Sequence, residues 1–349
     1  MVAEEEKEQE KKLLLMVSSS PHLAEPATSR RIMFEVVIGC LPAVAVALWL
    51  FRGSAAMVLI SCLASGLLTE WLFNAVRKKP QTITDGSVII TALILGLSLP
   101  PSIPTWAAAM GTAVAVAVAK MLYGGLGSNI FNPAMMGRAF LMACFGMMMT
   151  TWTPLANEPP CTEVDAVTQP TPLALAKQPI KDAANEDKLE KATPNEVETK
   201  MVAMFFGRTT GSLGETSALC WLIGGVFLLV RRTITWHIPV AVLSTAAVIA
   251  VIPWLANPDV YANPLVHLFG GGLMMCAFFI ATDPVTCPLT KLGRFIFGVG
   301  VGGLIMLIRL KGGYPEGVMY AVLLMNAITP LLDRWTKPTP LGGHVVSAG

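Results

Sequence analysis

Charge is what this sequence has least of: Asp, Glu, Lys and Arg make up 14% of its 349 residues, against 54% hydrophobic residues. Its mean hydropathy is +0.61. A chain this apolar cannot cover itself as one soluble domain, and its apolar runs are too interrupted for a fibre or a disordered segment. It reads as a polytopic membrane protein. The net charge is only +2, and most basic residues flank apolar segments, where they orient a chain in a bilayer, so nucleic acid is not indicated as a partner. Also missing is any C-x-x-C pair or Cys/His cluster among the seven cysteines, which argues against a metal site, a disulfide framework or an iron–sulfur cluster held by this chain alone. The cysteines read as small buried hydrophobes. Residues 1–29 lack the basic start of a signal peptide, and Leu13–Val17 is too short to cross a bilayer. A cytoplasmic N-terminal tail is expected there.

What is there is a series of apolar segments at about 32–51, 54–76, 86–99, 106–122, 132–150, 216–230, 236–255, 265–281, 295–309 and 317–332. They predict an all-α protein of about ten transmembrane helices, with a first membrane part over 30–151, a second over 209–335 and a C-terminal tail over 336–349. Several are punctuated: Pro100-Pro101 ends the third, and Asn132-Pro133 opens the fifth as cap and first helical residue. Broken segments of this kind line cavities, because unpaired backbone cannot face lipid. With both termini in the cytoplasm, the inside loops hold twelve basic residues, Lys120 among them, and the short outside loops hold three, Arg52, Arg309 and Lys311. That bias places the long polar loop 152–208 outside, in contact with other proteins, while the spans face membrane lipid.

Within that loop, Pro170-Thr171-Pro172 holds Thr171 away from helical geometry. The expectation is an extended threonine whose hydroxyl is presented outward. The two membrane parts also echo each other: Gly86, Pro100-Pro101 and Gly124-Gly125 overlay Gly272, Asp283-Pro284 and Gly312-Gly313. Five spans separate corresponding elements, so the parts are expected to be inverted five-helix repeats with broken helices between them. Glu35, Glu70, Arg138, Asp283 and Glu316 lie in or beside apolar segments, where ionisable groups are functional candidates. From the residues alone, a solute or ion transporter or channel and a cofactor-holding redox subunit both remain open.

Five separated strings narrow the choice. Ser18-Ser19-Ser20-Pro21-His22, Gly214-Glu215-Thr216-Ser217-Ala218-Leu219, Trp236-His237-Ile238-Pro239, Thr282-Asp283-Pro284-Val285-Thr286 and Gly312-Gly313-Tyr314-Pro315-Glu316-Gly317-Val318 together resemble the NqrB/RnfD family. That family comprises the D subunit of Rnf ion-translocating oxidoreductases and the B subunit of sodium-pumping NADH:quinone reductases. The resemblance covers the chain after its tail, and the short N-terminal region is closer to the Rnf branch.

The resemblance implies an electron-transfer subunit, not catalytic alone, in a complex that couples electron flow between ferredoxin and NAD to sodium or proton transport. It implies FMN bound covalently by a phosphoester to an extracytoplasmic threonine, attached by a flavin transferase. Asp165, Ala166, Thr168, Thr171, Pro172 and Leu173 match the attachment motif, and Pro170 departs from it. Thr171 is the implied site and Thr216 its rival, with a helix-capping role fitting Thr216 better. Further implications are the other subunits of an Rnf complex as partners, a bacterial or archaeal cytoplasmic (inner) membrane, and a second, non-covalent flavin such as riboflavin. Asp283, the carboxylate beside the second break, is the candidate for the ion path; its alternative is to cap the turn before Pro284.

Overall fold

A computed structural model describes residues 28–152, 171–177, 201–207, 209, 211–258 and 260–337. Most of both tails and of loop 152–208, including Asp165 and Thr168, lie outside the described residues. Among those described, all regular structure is helical. Helix α1 covers Ser29–Val76, with Thr28 accepting from Arg31 N as its cap. A straight helix of its 48 residues would run about 72 Å, over twice the ~30 Å hydrocarbon core. It does not run straight: Arg52 leaves helical geometry at φ 46 and ψ −118. A Cβ on Gly86 would touch Met33 and Phe34, while Glu70 reaches Thr82 and, through Lys120, Ser87. Both ends of α1 therefore meet the same segment, and its two limbs run antiparallel, as an outward and a return pass require.

The remaining apolar segments are helical near their expected bounds. In order they are α2 Ser87–Leu97, α3 Thr105–Val114 with its π-helical continuation Ala115–Met121, α4 Pro133–Cys144 and α5 Gly146–Met149. Then follow α6 over 172–177 and α7 Met201–Phe206 in the long loop, α8 Ala218–Val230, α9 His237–Ala256, α10 Pro264–Phe269 and α11 Leu273–Met275 with a π turn Cys276–Ile280. The series closes with α12 Lys291–Lys311 and α13 Val318–Trp335. Among the described residues, three helices, α1, α9 and α12, are long and apolar enough to cross a membrane, and α2, α3 with its continuation, and α8 are shorter apolar helices. Large apolar side chains such as Trp49, Ile60, Leu68, Val230, Ile252 and Leu255 lie exposed. This is the surface of a protein solvated by lipid.

One expectation changes. The segment 265–281 does not run unbroken to Asp283-Pro284; the helix also breaks at Gly270-Gly271-Gly272, between α10 and α11. Gly271 has φ +66, which only glycine adopts without strain, and a Cβ on Gly270 would lie 2.6 Å from Val266 O. The carbonyls freed there are taken up by a side chain: Arg309 Nη1 donates to His267 O and Nη2 to Gly270 O. The carbonyls freed after α2 find backbone partners, with Gly214 N donating to Leu97 O at 2.6 Å and Leu213 N to Leu99 O at 3.0 Å.

Small residues set the helix crossings. Gly298 and Gly302 of α12 approach Ala241 and Val242 of α9, and Gly39 of α1 meets Gly224 of α8. A Cβ at Gly224 would lie 2.1 Å from Gly39 O, whereas one at Gly53 meets nothing within 4 Å. Gly224→Ala is therefore expected to lower stability by about 1–3 kcal/mol through overpacking, while Gly53→Ala is neutral or slightly stabilising. Unfolding of the two detergent-solubilised variants beside the parent chain measures the difference.

Candidate functional site

Thr171 is not presented outward. It precedes α6, with Pro172 as the first helical residue, and its Oγ1 accepts from Ala174 N at 3.2 Å. It is an N-cap, and only 7% of it is exposed. The expectation of an extended loop fails because a threonine before proline has the same extended backbone whether the chain continues as loop or as helix. Burial decides between them. Leu173 and Ala176 are buried, a Cβ on Gly270 would meet Leu173, and Lys177 Nζ donates to Ile308 O at 3.0 Å and Tyr314 O at 2.6 Å. Apolar contact and a charge-assisted pair of bonds thus dock α6 on the Gly270-Gly271-Gly272 break.

Docked there, Thr171 forms part of the wall of a cavity of about 400 Å³ whose lining includes Arg138, Ala174, Tyr314, Glu316 and Tyr320. That volume lies within the range of small-molecule and cofactor sites. A narrower space under Thr171 reaches Glu215, Gly270 and Gly271. Arg138, projecting from α4, is the charged centre: its Nη2 is 3.0 Å from Glu316 Oε2 and 3.7 Å from Glu215 Oε1. Glu316 also accepts from Gly272 N. The structure therefore brings together Thr171, Arg138 and Glu316 from the sequence candidates, and adds Glu215.

Thr216 is buried and bonded inside its own loop, its Oγ1 donating to Leu213 O at 3.5 Å. The cap expected of it belongs to the next residue, Ser217, whose hydroxyl accepts from Cys220 N at 3.4 Å. Asp283 lies at the other end of α4. It accepts from Val285 N at 3.2 Å and Thr286 Oγ1 at 3.1 Å, which closes the turn around Pro284, and its Oδ2 is 3.5 Å from Asn132 Nδ2. It borders a second cavity, about 70 Å³, with Lys120, Ser87, Asn129, Asn132 and Thr233.

Sequence reasoning misses or misplaces three charged residues. Lys120 counts there as a loop residue, yet it is 2% exposed and pairs with fully buried Glu70 at 2.8 Å. Arg309 counts as an outside residue but is buried against the Gly270-Gly271-Gly272 break. Glu215 stands out only as a neighbour of Thr216. A lysine at the end of Ala115-Val116-Ala117-Val118-Ala119 is a usable signal, since a charge inside an apolar run marks a buried partner.

These features define an all-helical membrane protein with broken helices and a capped threonine at the wall of a cofactor-sized cavity. The sequence profile of the NQR2, RnfD, RnfE family matches residues 16–342, and the chain belongs to that family. Among similar proteins is the D subunit of the proton-translocating ferredoxin:NAD(+) oxidoreductase complex of Clostridium ljungdahlii, 41% identical over 93% of this chain and 96% of the relative. The D subunit of the ion-translocating oxidoreductase complex of Pectobacterium atrosepticum is 38% identical over 94% of this chain and 99% of its own length. That of Escherichia coli O127:H6 is 37% identical over 93% and 98%.

The Glu70–Lys120 pair yields a direct prediction. Glu70→Ala leaves a buried ammonium with only the Ser87 hydroxyl, 2.6 Å away, and is expected to cost about 3–5 kcal/mol. The double variant Glu70→Leu/Lys120→Met removes both charges and should recover most of that loss. Detergent-titrated unfolding of the two variants tests it, and equal destabilisation of single and double variants would contradict it.

Proposed function

We propose that this chain is the electron-carrying membrane subunit of an ion-translocating oxidoreductase complex of the Rnf kind, and that Thr171 carries FMN through a phosphoester. The observation that carries the reading is the position of Thr171, in the wall of a cavity of about 400 Å³ that it shares with the cation Arg138. The residues fit such a group. Thr171 supplies the ester oxygen, Arg138 offsets the phosphoryl charge, and Tyr314, Tyr320 and Trp152 give the cavity aromatic walls. The flavin, when bound, supplies one- and two-electron transfer; the protein positions it and sets its electrostatics.

Burial of Thr171 adds an order of events. A transferase cannot reach the hydroxyl of a threonine that is itself buried beside a docked α6, so attachment precedes docking, and Leu173 and Lys177 then close the segment over the Gly270-Gly271-Gly272 break. Electrons would pass between ferredoxin and NAD through carriers on several subunits, with this FMN as one station. The name of the Clostridium relative, which specifies ferredoxin and NAD(+), supports that pairing.

We further read both termini as cytoplasmic, residues 152–208 as extracytoplasmic, and the two membrane parts as inverted repeats. The crossing of Gly39 with Gly224 supports the repeats: these residues stand 185 apart, close to the 186 between Gly86 and Gly272, and corresponding residues of a two-fold related pair meet at the axis.

Thr171→Ala is expected to abolish flavin fluorescence of the chain in denaturing gels while the protein still inserts, and Thr216→Ala to retain it. Peptide masses bear on the alternative of a transporter without flavin: no FMN-sized increment on any peptide would overturn the covalent attachment on which the flavin reading rests. Coupling is tested at the other end of α4. Asp283→Asn in the assembled complex is expected to weaken the dependence of turnover on sodium or proton concentration more than it weakens flavin attachment. An unchanged dependence would leave Asp283 with its turn-closing bonds alone.

A further inference from the structure

Four charged side chains meet beneath Thr171, and they are not equally satisfied. Both oxygens of Glu316 are engaged, Oε2 by Arg138 Nη2 at 3.0 Å and Oε1 by Gly272 N. Arg309 directs its guanidinium at the His267 and Gly270 carbonyls. Glu215 Oε1 is buried with no hydrogen-bond partner among the described residues, and its nearest cation, Arg138 Nη2, is 3.7 Å away and already committed to Glu316.

Nor is the backbone that carries Glu215 free to shift. Its loop is pinned by Leu213 N to Leu99 O at 3.0 Å, Gly214 N to Leu97 O at 2.6 Å and Trp221 Nε1 to Gly214 O at 2.5 Å. A Cβ on Gly214 would lie 3.0 Å from Leu97 O, so the backbone is pressed against the end of α2. An ionised carboxylate held in such a place is costly, and the neutral acid far less so. Two carboxylates beside one shared guanidinium settle this by keeping one proton between them.

We propose that Glu215 is a proton-binding carboxyl of the Thr171 cavity, holding one proton for the Glu215–Glu316 pair, and that this proton offsets negative charge placed at Thr171. The second half rests on the reading that Thr171 carries a phosphoryl group. The step is a simple balance: Glu215 carboxylate plus one proton gives the acid, an O–H bond forms, and no electrons move. A phosphodiester at Thr171 adds one negative charge to the same space. That charge disfavours ionised Glu215 and so tightens its hold on the proton.

The surroundings agree with the geometry. Burial first, and then the Glu316 carboxylate, push Glu215 up to about 8 against the opposing pull of Arg138. Burial also raises Glu316, but Arg138 and Arg309, with the bonds Glu316 accepts, outweigh it and hold that carboxyl below its usual value. The groups facing Glu215 are Arg138 from α4, Glu316 from the loop after α12, Arg309 from the end of α12 and Ser212 from its own loop. Behind Arg309 stand His267 and Cys276.

The test is infrared spectroscopy of the full chain in its complex, read as the difference between wild type and Glu215→Gln across a pH series, with the Thr171 peptide mass measured on the same samples. A protonated-carboxyl band specific to Glu215 is expected below a midpoint of about 8. It should shift to lower pH in Thr171→Ala, where the phosphoryl charge is gone, and in Glu316→Gln, where the like charge is gone. Glu215→Asp should keep a titrating band, which guards against a Gln variant that fails to assemble. No Glu215-dependent band at any pH overturns the proposal. A band with the same midpoint in flavin-bearing wild type and Thr171→Ala overturns its charge linkage. A band present with no FMN-sized increment on the Thr171 peptide overturns the attachment reading and the linkage together, and supports Glu215 as a proton carrier alone.

Discussion

The arrangement depends on one constraint: where a helix breaks inside a membrane protein, the freed backbone groups must be bonded by the protein itself, because lipid offers nothing. At Gly270-Gly271-Gly272 the partners are Arg309, which takes two carbonyls, and Glu316, which takes the Gly272 amide. After α2 they are the amides of Leu213 and Gly214. Beyond α11, at Ile280, the partner is Asn132 Nδ2 at 3.4 Å. Each break therefore recruits polar groups from elsewhere in the sequence, and those recruits bring charge to fixed places. The site at Thr171 is a consequence. Arg309 and Glu316 serve the break first, Arg138 answers Glu316, and Glu215 arrives on the loop that answers the end of α2.

A similar logic operates at the far end. Lys120 is buried beside Ser87, the first residue of α2, and pairs with Glu70, which also accepts from Thr82 at 2.6 Å. On the proposed inverted repeat, Lys120 and Arg309 are counterparts, each a buried cation near the end of the fourth helix of its part and each set against a broken third segment. They differ in what they bind: Lys120 meets a carboxylate and a hydroxyl, Arg309 two carbonyls. A guanidinium can bridge two carbonyls with separate N–H groups, which suits the glycine break, whereas a compact ammonium suits one carboxylate.

Most helices are legible in the sequence because apolar length and Pro or Asn punctuation act locally. Asn132-Pro133 opens α4 as cap and first residue, as its chemistry dictates. What is not legible depends on contacts far apart in the chain. Pro170-Thr171-Pro172 carries the same local signal for a loop and for a helix cap, and the distant contacts of Leu173 with Gly270 and of Lys177 with Ile308 O and Tyr314 O distinguish them. Lys120 and Arg309 sit at the ends of apolar runs, where a basic residue ordinarily faces the headgroups. Their burial follows from Glu70, fifty residues away, and from a glycine break whose position inside 265–281 no periodicity marks. Thr216 loses its capping role to Ser217 by one residue, the margin within which helix ends are always uncertain from sequence.

The two polar regions are joined by one rigid element. Asn132 caps α4 at the Asp283 turn, and Arg138 leaves the same helix six residues later, about 9 Å along its axis. Close packing leaves α4 little freedom: a Cβ on Gly137, between those two residues, would lie 2.8 Å from both Ala115 Cβ and Gly111 O. A change in charge beneath Thr171 acts on Arg138, which is shared between Glu215 and Glu316, and any displacement of Arg138 bears on the helix that also holds Asn132 against Ile280 O and Asp283. Packed elements of this kind respond by stepping between discrete arrangements rather than by yielding continuously. The short span of α4 is therefore where electrostatics at the proposed flavin would be converted into geometry at the Asp283-Pro284 turn.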